Sequence, residues 1–241
     1  MSQIKFKRIL LKLSGEAFKG SREYGIDPTF IQYIANEIKS IYESGVQIGI
    51  VIGGGNIFRG LAASENGMDR ITADYTGMLA TIMNALALKD CLDKINIESR
   101  VQSAIEIKQV AEPFILSKST RHFEKNRIVI FAGGTGNPYF TTDTTAALRA
   151  AEIKADAIFK ATKVDGVYDE DPVLNQNAKK YQSISFKDVL NKQLKVMDST
   201  ALSLSMDNEI PIFVFNLNIK GSIYKALTGE PVGTLIGGET C

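Results

Sequence analysis

Five short and nearly uninterrupted apolar runs, at residues 9–13, 46–52, 127–132, 157–160 and 210–216, constrain this chain more than any other feature. Runs this short and this continuous fit strands buried on both faces, which occur in parallel sheets covered by helices. Between the runs the spacing changes to that of helices. Asp27 stands before Pro28 as an N-cap, Phe30, Ile31, Ile34, Ile38 and Ile41 recur on one face, and Gly45 supplies the stop, so a helix is predicted between them. A second helical pattern runs from about residue 72 to 92 through Met78, Leu79, Ile82, Met83, Leu86 and Leu88, and residues 143–153 read as a third. The alternation predicts an α/β fold with crossover helices. Residues 168–183 break the pattern with Asp169, Asp171, Pro172, Asn175 and Asn177 and read as a polar loop.

A chain of 241 residues is expected to form one domain, or two lobes sharing one sheet, and no repeat or Pro-rich linker marks a boundary. Lys and Arg total 28 against 27 Asp and Glu, a balance that gives no general attraction to nucleic acid or to an anionic membrane. Residues 1–7 lack the apolar core of a signal peptide, and no stretch approaches the ~20 apolar residues of a membrane span. Two cysteines, Cys91 and the terminal Cys241, cannot build a disulfide framework, so a reducing cytoplasm is expected. With His122 the only histidine, zinc sites and His-based triads are excluded. The available chemistry is that of Lys, Arg, Asp, Thr and backbone amides.

Open α/β sheets bind ligands at the carboxyl ends of their strands. Glycine recurs there: Ser14-Gly15 after the first run, Gly53-Gly54-Gly55 after the second, and Gly133-Gly134-Thr135-Gly136 after the third. Such turns bring backbone N–H groups against phosphate oxygens, although a single one would equally serve as a tight turn. No Gly-Lys dipeptide occurs and neither later cluster opens a G-x-G-x-x-G, which disfavours a P-loop kinase and a nicotinamide oxidoreductase. Lys12 sits within the first apolar run, near its end, and Lys160 ends the fourth. Alone, either fits a surface lysine with a buried stem; together they would stabilise charge on a transferring phosphoryl group. Asp143 would either cap the helix after Thr141-Thr142 or orient those lysines.

Five segments, KRILLKLSGEA (7–17), VIGGGNIFRG (51–60), GTGNPYFTTD (134–143), KATKVDGVYDEDP (160–172) and KVMD (195–198), resemble the amino acid kinase superfamily and, within it, the bacterial-type uridylate kinases. The resemblance covers nearly the whole chain, from residue 7 to about 236. It implies the amino acid kinase fold, a three-layer α/β sandwich with a central, mainly parallel sheet flanked by helices. It also implies one domain over residues 1–241, with an acceptor-binding lobe to about residue 155 and an ATP-binding lobe from about 156. The implied reaction is transfer of the γ-phosphoryl of ATP to UMP, giving UDP and ADP in de novo pyrimidine nucleotide (CTP) biosynthesis.

By the same resemblance, Lys12, Leu13, Ser14 and Gly15 would line the ATP phosphates, with Gly55 and Arg59 also facing that nucleotide. Gly54, Asp74, Thr135, Gly136, Asn137, Pro138, Tyr139, Phe140, Thr141 and Thr142 would hold UMP. Thr162, Tyr168 and Asp171 would form the adenosine end, while Lys160 and Asp143 stand near the reacting phosphates and Asp198 gives polar support. Each keeps a plainer reading: Tyr168 as a packing residue, Asp74 as a helix cap, Thr162 as a strand end. Magnesium would ride on the ATP phosphates, with no protein ligand assigned. The resemblance further implies a homohexamer with the 72–92 helix at a subunit interface, inhibition by UTP and activation by GTP. Asp90, Arg100 and Arg127 match residues expected near the GTP site, whereas Lys89 and Asp93 replace an arginine and a histidine, so blunted activation is expected. A kinase making acyl phosphates and a non-catalytic nucleotide sensor remain alternatives at this level.

Overall fold

The first strand, β1 (Arg8–Leu13), lies at the centre of the sheet, as its unbroken apolar run requires. The structure, a computed structural model, describes residues 4, 6–172, 174–175 and 177–238; residues 1–3 and 5 of the segment read for a signal peptide, and Cys241, lie outside them. After β1 follow α1 (Gly15–Phe18), α2 (Pro28–Tyr42), β2 (Gln47–Ile52), α3 (Gly60–Glu65), α4 (Arg70–Lys94), β3 (Ser99–Ser103), β4 (Glu112–Pro113), α5 (Leu116–Glu124), β5 (Ile128–Ala132) and α6 (Thr142–Glu152). The second part contains β6 (Ala157–Thr162), β7 (Val167–Tyr168), β8 (Lys180–Tyr181), β9 (Ser183–Ile184), α7 (Phe186–Asn191), α8 (Ser199–Asp207), β10 (Ile212–Asn216), α9 (Ser222–Leu227) and β11 (Gly233–Ile236).

Among the described residues one nine-stranded sheet runs in the order β4-β3-β5-β2-β1-β6-β10-β11-β9. Only the β10–β11 neighbours are antiparallel. The edges are two-residue strands, β4 and β9. Strand alternation sorts side chains between two cores. Ile9, Leu11 and Leu13 of β1 pack with Ile34, Ile38, Ile82, Leu88 and Ile223 from α2, α4 and α9. Leu10 packs on the opposite face with Ala146, Ala150, Val189 and Leu202 from α6, α7 and α8. The result is the α/β fold that the alternation predicts, in the three-layer form that the family resemblance implies. Each fully buried Ile, Leu or Phe contributes roughly 1.5–3 kcal/mol.

Helix α2 begins as predicted: Asp27 accepts hydrogen bonds from the N–H groups of Thr29 and Phe30, with Pro28 at the first position. Such a cap contributes about 1 kcal/mol. Other elements depart from expectation. Helix α4 is 25 residues long and starts at Arg70 on an Asp69 cap, and its apolar pattern divides. Met78, Ile82 and Leu88 are buried, while Ile71, Tyr75, Leu79 and Met83 form an exposed row at four-residue spacing. Residues 168–183, read as a loop, include an antiparallel ribbon of β7 and β8 and the start of β9. Asp165 ties that ribbon together, accepting from the Tyr168 hydroxyl at 2.6 Å and from Lys180 Nζ at 2.9 Å.

The chain places β2 and then β5 on one side of β1 and returns with β6 on the other. That reversal opens a crevice at the carboxyl ends of β1, β2 and β6, where ligands of open α/β sheets bind.

Candidate active site

Close backbone packing makes glycine necessary at the first turn of this crevice. A Cβ on Gly15 would lie 2.6 Å from the Gly53 carbonyl oxygen and 2.7 Å from the Gly55 nitrogen, distances no real side chain tolerates against backbone. The turns after β1 and β2 are therefore seated on each other, and the Gly53 N–H donates to the Leu13 carbonyl at 2.9 Å. Gly54 approaches α4 in the same way: its Cβ would meet the Gly77 carbonyl at 2.8 Å. Asn56 and Asn84, both buried, exchange side-chain hydrogen bonds of 3.0 and 2.7 Å, and Asn84 also donates to the Gly53 carbonyl at 2.7 Å. The third turn uses positive φ at Gly133, Gly134 and Gly136, and the Gly133 N–H donates to the Thr81 hydroxyl at 2.8 Å.

Lys12 and Lys160 are register partners on β1 and β6, so their side chains leave the sheet on the same face. Both are buried and both end on Asp143. Lys12 Nζ lies 2.6 Å from Oδ1, a close ion pair without hydrogen-bond alignment, and Lys160 Nζ donates to Oδ2 at 2.7 Å. The helix cap is Thr141, whose hydroxyl accepts from the N–H groups of Asp143 and Thr144; Asp143 sits in the first turn of α6. Burial raises the Asp143 pKa, but the charges of Lys12 and Lys160 outweigh it and hold the carboxyl below the usual range. Burial, aided by Lys12, lowers Lys160 to about 8 against the opposing pull of Asp143.

The 195–198 segment supports this triad from behind. The Val196 carbonyl accepts a second bond from Lys160 Nζ. Asp198 caps α8 through the Ala201 N–H at 2.8 Å and accepts from the hydroxyls of Thr144, at 2.9 Å, and Thr141. It thus anchors the amino end of α6, and with it Asp143.

Residues 135–142 arch from β5 into α6. Thr135 Oγ1 accepts from the Asn137 N–H at 3.2 Å, Pro138 follows, and Tyr139 and Phe140 project outward, 64% and 50% exposed. Thr142 Oγ1 lies 3.5 Å from where a Cβ of Gly53 would stand, joining this segment to the β2 turn. Asp74 is one turn inside α4, not at its cap, and its Oδ2 accepts from the Tyr139 N–H at 2.7 Å and from Arg70 Nε at 2.8 Å. Arg59 is held by Glu16, with Nη2–Oε1 at 2.6 Å, and by the Gly55 carbonyl. Burial pushes Glu16 up, but its bonds to Arg59 and Lys19 hold it below its ordinary value.

Thr162, Tyr168 and Asp171 stand apart from this cluster, on the β6 side. The Thr162 hydroxyl donates to the Val164 carbonyl at 2.6 Å, Tyr168 belongs to the β7–β8 ribbon, and the Asp171 carbonyl accepts from Leu174 and Asn175. A cavity of about 510 Å³ bordered by Glu16, Tyr33, Thr162, Lys163 and Asn218 opens at the carboxyl ends of β1, β6 and β10. Asp90, Arg100 and Arg127 lie away from the crevice. Arg100 is near the start of β3 and Arg127 just before β5, and both reach Glu98, while Asp90 pairs with Lys94 and Lys89 with Asp93.

The sequence reading passed over Glu16, Thr81, Asn84 and Val196 as site-forming residues. Glu16 and Val196 lie within the 7–17 and 195–198 segments, which mark their neighbourhood but not their roles, while Thr81 and Asn84 lie on the inner side of α4.

The Amino acid kinase family profile matches residues 7–216. A UMP kinase structure from Bacillus anthracis shares 44% identity at a TM-score of 0.93, covering 96% of each chain. One from Ureaplasma parvum shares 41% identity at 0.91, covering 95% of this chain and 98% of that one. A uridylate kinase structure from Archaeoglobus fulgidus shares 30% identity at 0.74, covering 95% and 99%.

Proposed function

The chain belongs to the amino acid kinase family, and from that premise we propose that it is a uridylate kinase, transferring the γ-phosphoryl group of ATP to UMP to give UDP and ADP in pyrimidine nucleotide synthesis. The observation that carries this reading is the pair of buried lysines on Asp143, set between the glycine turns and the 135–142 arch.

A UMP phosphate oxygen attacks Pγ, the new O–Pγ bond forms as the bond from Pγ to the β-phosphate oxygen breaks, and ADP leaves. A phosphate oxygen is already a nucleophile, so no strong base is required. Asp143 suits orientation rather than proton abstraction, since Lys12 and Lys160 hold its pKa below the ordinary carboxylate range and so leave it a weak base. Lys12 and Lys160 place positive charge where it builds up on the transferring group. The backbone at Ser14, Gly15 and Gly55 takes the ATP phosphates, Arg59 supplies a planar fork to them, and Thr162, Tyr168 and Asp171 take the adenosine end. Gly54, Asp74 and residues 135–142 take UMP.

Magnesium fits as an ion carried on the ATP phosphates. Among the described residues no three His, Cys, Asp or Glu side chains form a cage, both oxygens of Asp143 face lysines, and both of Asp198 already accept hydrogen bonds. The ion prefers substrate oxygens and water over such a cage. The lobe division falls where the chain crosses from α6 to β6. Elements through residue 152 build β1 and the half with β2 to β5, and those from 157 build the other half, which supports reading an acceptor lobe to about 155 and an ATP lobe from about 156.

Purified protein with magnesium ATP is expected to phosphorylate UMP in strong preference to CMP, and to leave acetylglutamate, aspartate and carbamate untouched. A site built to hydrogen-bond one base leaves its own groups unpaired with another. Coupled detection of ADP across these acceptors is the test, and equal turnover of CMP and UMP would remove the specificity.

The exposed row Ile71, Tyr75, Leu79 and Met83 on α4 suits a subunit contact, and we propose a homohexamer inhibited by UTP, whose uridine occupies the UMP site while its phosphates reach toward the ATP side. GTP activation is blunted, because Asp93 adds a carboxylate and engages Lys89, which borders a pocket together with Arg100. Asp93→His is expected to enlarge the GTP response, in a hexamer-sized species by light scattering. A strong response in the parent protein, unchanged by that substitution, would refute the electrostatic cause. A cytoplasmic location accords with these substrates; among the described residues no helix is long and apolar enough to cross a membrane.

A further inference from the structure

Tyr139 carries a side chain at φ +71, a left-handed conformation disfavoured for residues other than glycine. With its ring 64% exposed, no core holds it in place. Three contacts do. Its N–H donates to Asp74 Oδ2 at 2.7 Å, the same oxygen accepts Arg70 Nε at 2.8 Å, and the Arg70 guanidinium carbon stands 5.3 Å from the Tyr139 ring centroid. Carboxylate to N–H, carboxylate to guanidinium and guanidinium to ring close a triangle between the first turns of α4 and the arch.

We propose that Arg70 is a positioning residue for the acceptor, clasping residues 138–141 to α4 through Asp74 and the Tyr139 ring. This rests on the reading of residues 135–142 as the acceptor segment. The arch runs without a break into Thr141, the cap of α6, and so into Asp143. A planar guanidinium serves the purpose because it donates in its plane to Asp74 while presenting a face to the ring. Lysine keeps the charge but offers no face, and glutamine removes the charge.

The test combines amide exchange with kinetics on the full-length protein. In Arg70→Gln, exchange in the peptide covering residues 136–142 is expected to quicken at least about tenfold, with β1 still protected, and a smaller change is expected in Arg70→Lys. The KM for UMP should rise about tenfold, with kcat within about twofold and the KM for ATP unchanged. Unchanged exchange in Arg70→Gln overturns the clasp. Faster exchange with an unaltered KM for UMP overturns its positioning role. Arg70→Lys, read in the same two ways, decides the matter if the glutamine variant does not fold. A parent protein that fails to turn over UMP would defeat the acceptor reading, while the exchange result answers separately for the clasp.

Discussion

Lys12→Ala is expected to lower kcat by about two to three orders of magnitude while leaving the KM for ATP far less altered, the pattern for a preorganised cation that acts mainly in the transition state. The substitution also has a signature in pH. In the free protein Lys160 is held at about 8, by burial first and then by Lys12. As pH rises through that value, Lys160 loses its proton and one of the two cations disappears, so kcat/KM of the parent should fall above about pH 8. Without Lys12 one of the causes lowering Lys160 is gone, and the alkaline limb of the residual activity should move to higher pH. Bound phosphates favour the protonated lysine, so the limb of kcat should also lie above that of kcat/KM in the parent. Near-parental kcat in a folded Lys12→Ala protein would end the transition-state role.

Asp143→Asn is expected to cost stability as well as rate. The carboxylate is the counter-ion of two buried lysines on paired strands. Its removal takes away the carboxylate that both cations pair with, and breaking a buried ionic set in this way costs about 3–5 kcal/mol. The sign of the pH dependence follows from the depressed pKa of Lys160. The folded state binds its proton less readily than the unfolded state does, so stability rises as pH climbs through the folded value toward the unfolded one. Loss of Asp143 removes a group that supports the protonated lysine, which strengthens the effect. Urea midpoints should therefore show a large deficit near pH 7 that shrinks by pH 9. A variant as stable as the parent at pH 7 would mean that Asp143 does not hold the lysines.

How far the sequence revealed this arrangement depended on the kind of signal each residue leaves. Lys12 and Lys160 were conspicuous because a cation in or at the end of an apolar run is costly without a reason, and the α/β class followed from runs of uniform apolar character. Asp143 was ambiguous because a capping residue and a first-turn residue look alike beside Thr141; the hydroxyl of Thr141 takes the cap. Strand β3 escaped notice because Ser99, Gln102 and Ser103 are buried polar residues, with Gln102 satisfied by the Ser119 hydroxyl at 2.6 Å. The Asn56–Asn84 pair joins residues 28 positions apart, a contact that no local pattern encodes. The four-residue row on α4 was merged with its buried neighbours for the opposite reason, since both faces of that helix are apolar.

The two-residue margins of the sheet bear on how copies of this chain meet. A long open margin offers its unpaired N–H and C=O groups to any other strand, the route to fibrous aggregation. Here β4 ends in Pro113, which has no N–H to give, and β9 passes within one residue into the Ser185 cap of α7. Neither margin presents a template long enough to recruit a neighbour's backbone. Backbone pairing between copies, and with it ribbon growth that has no natural end, is thereby disfavoured at both margins.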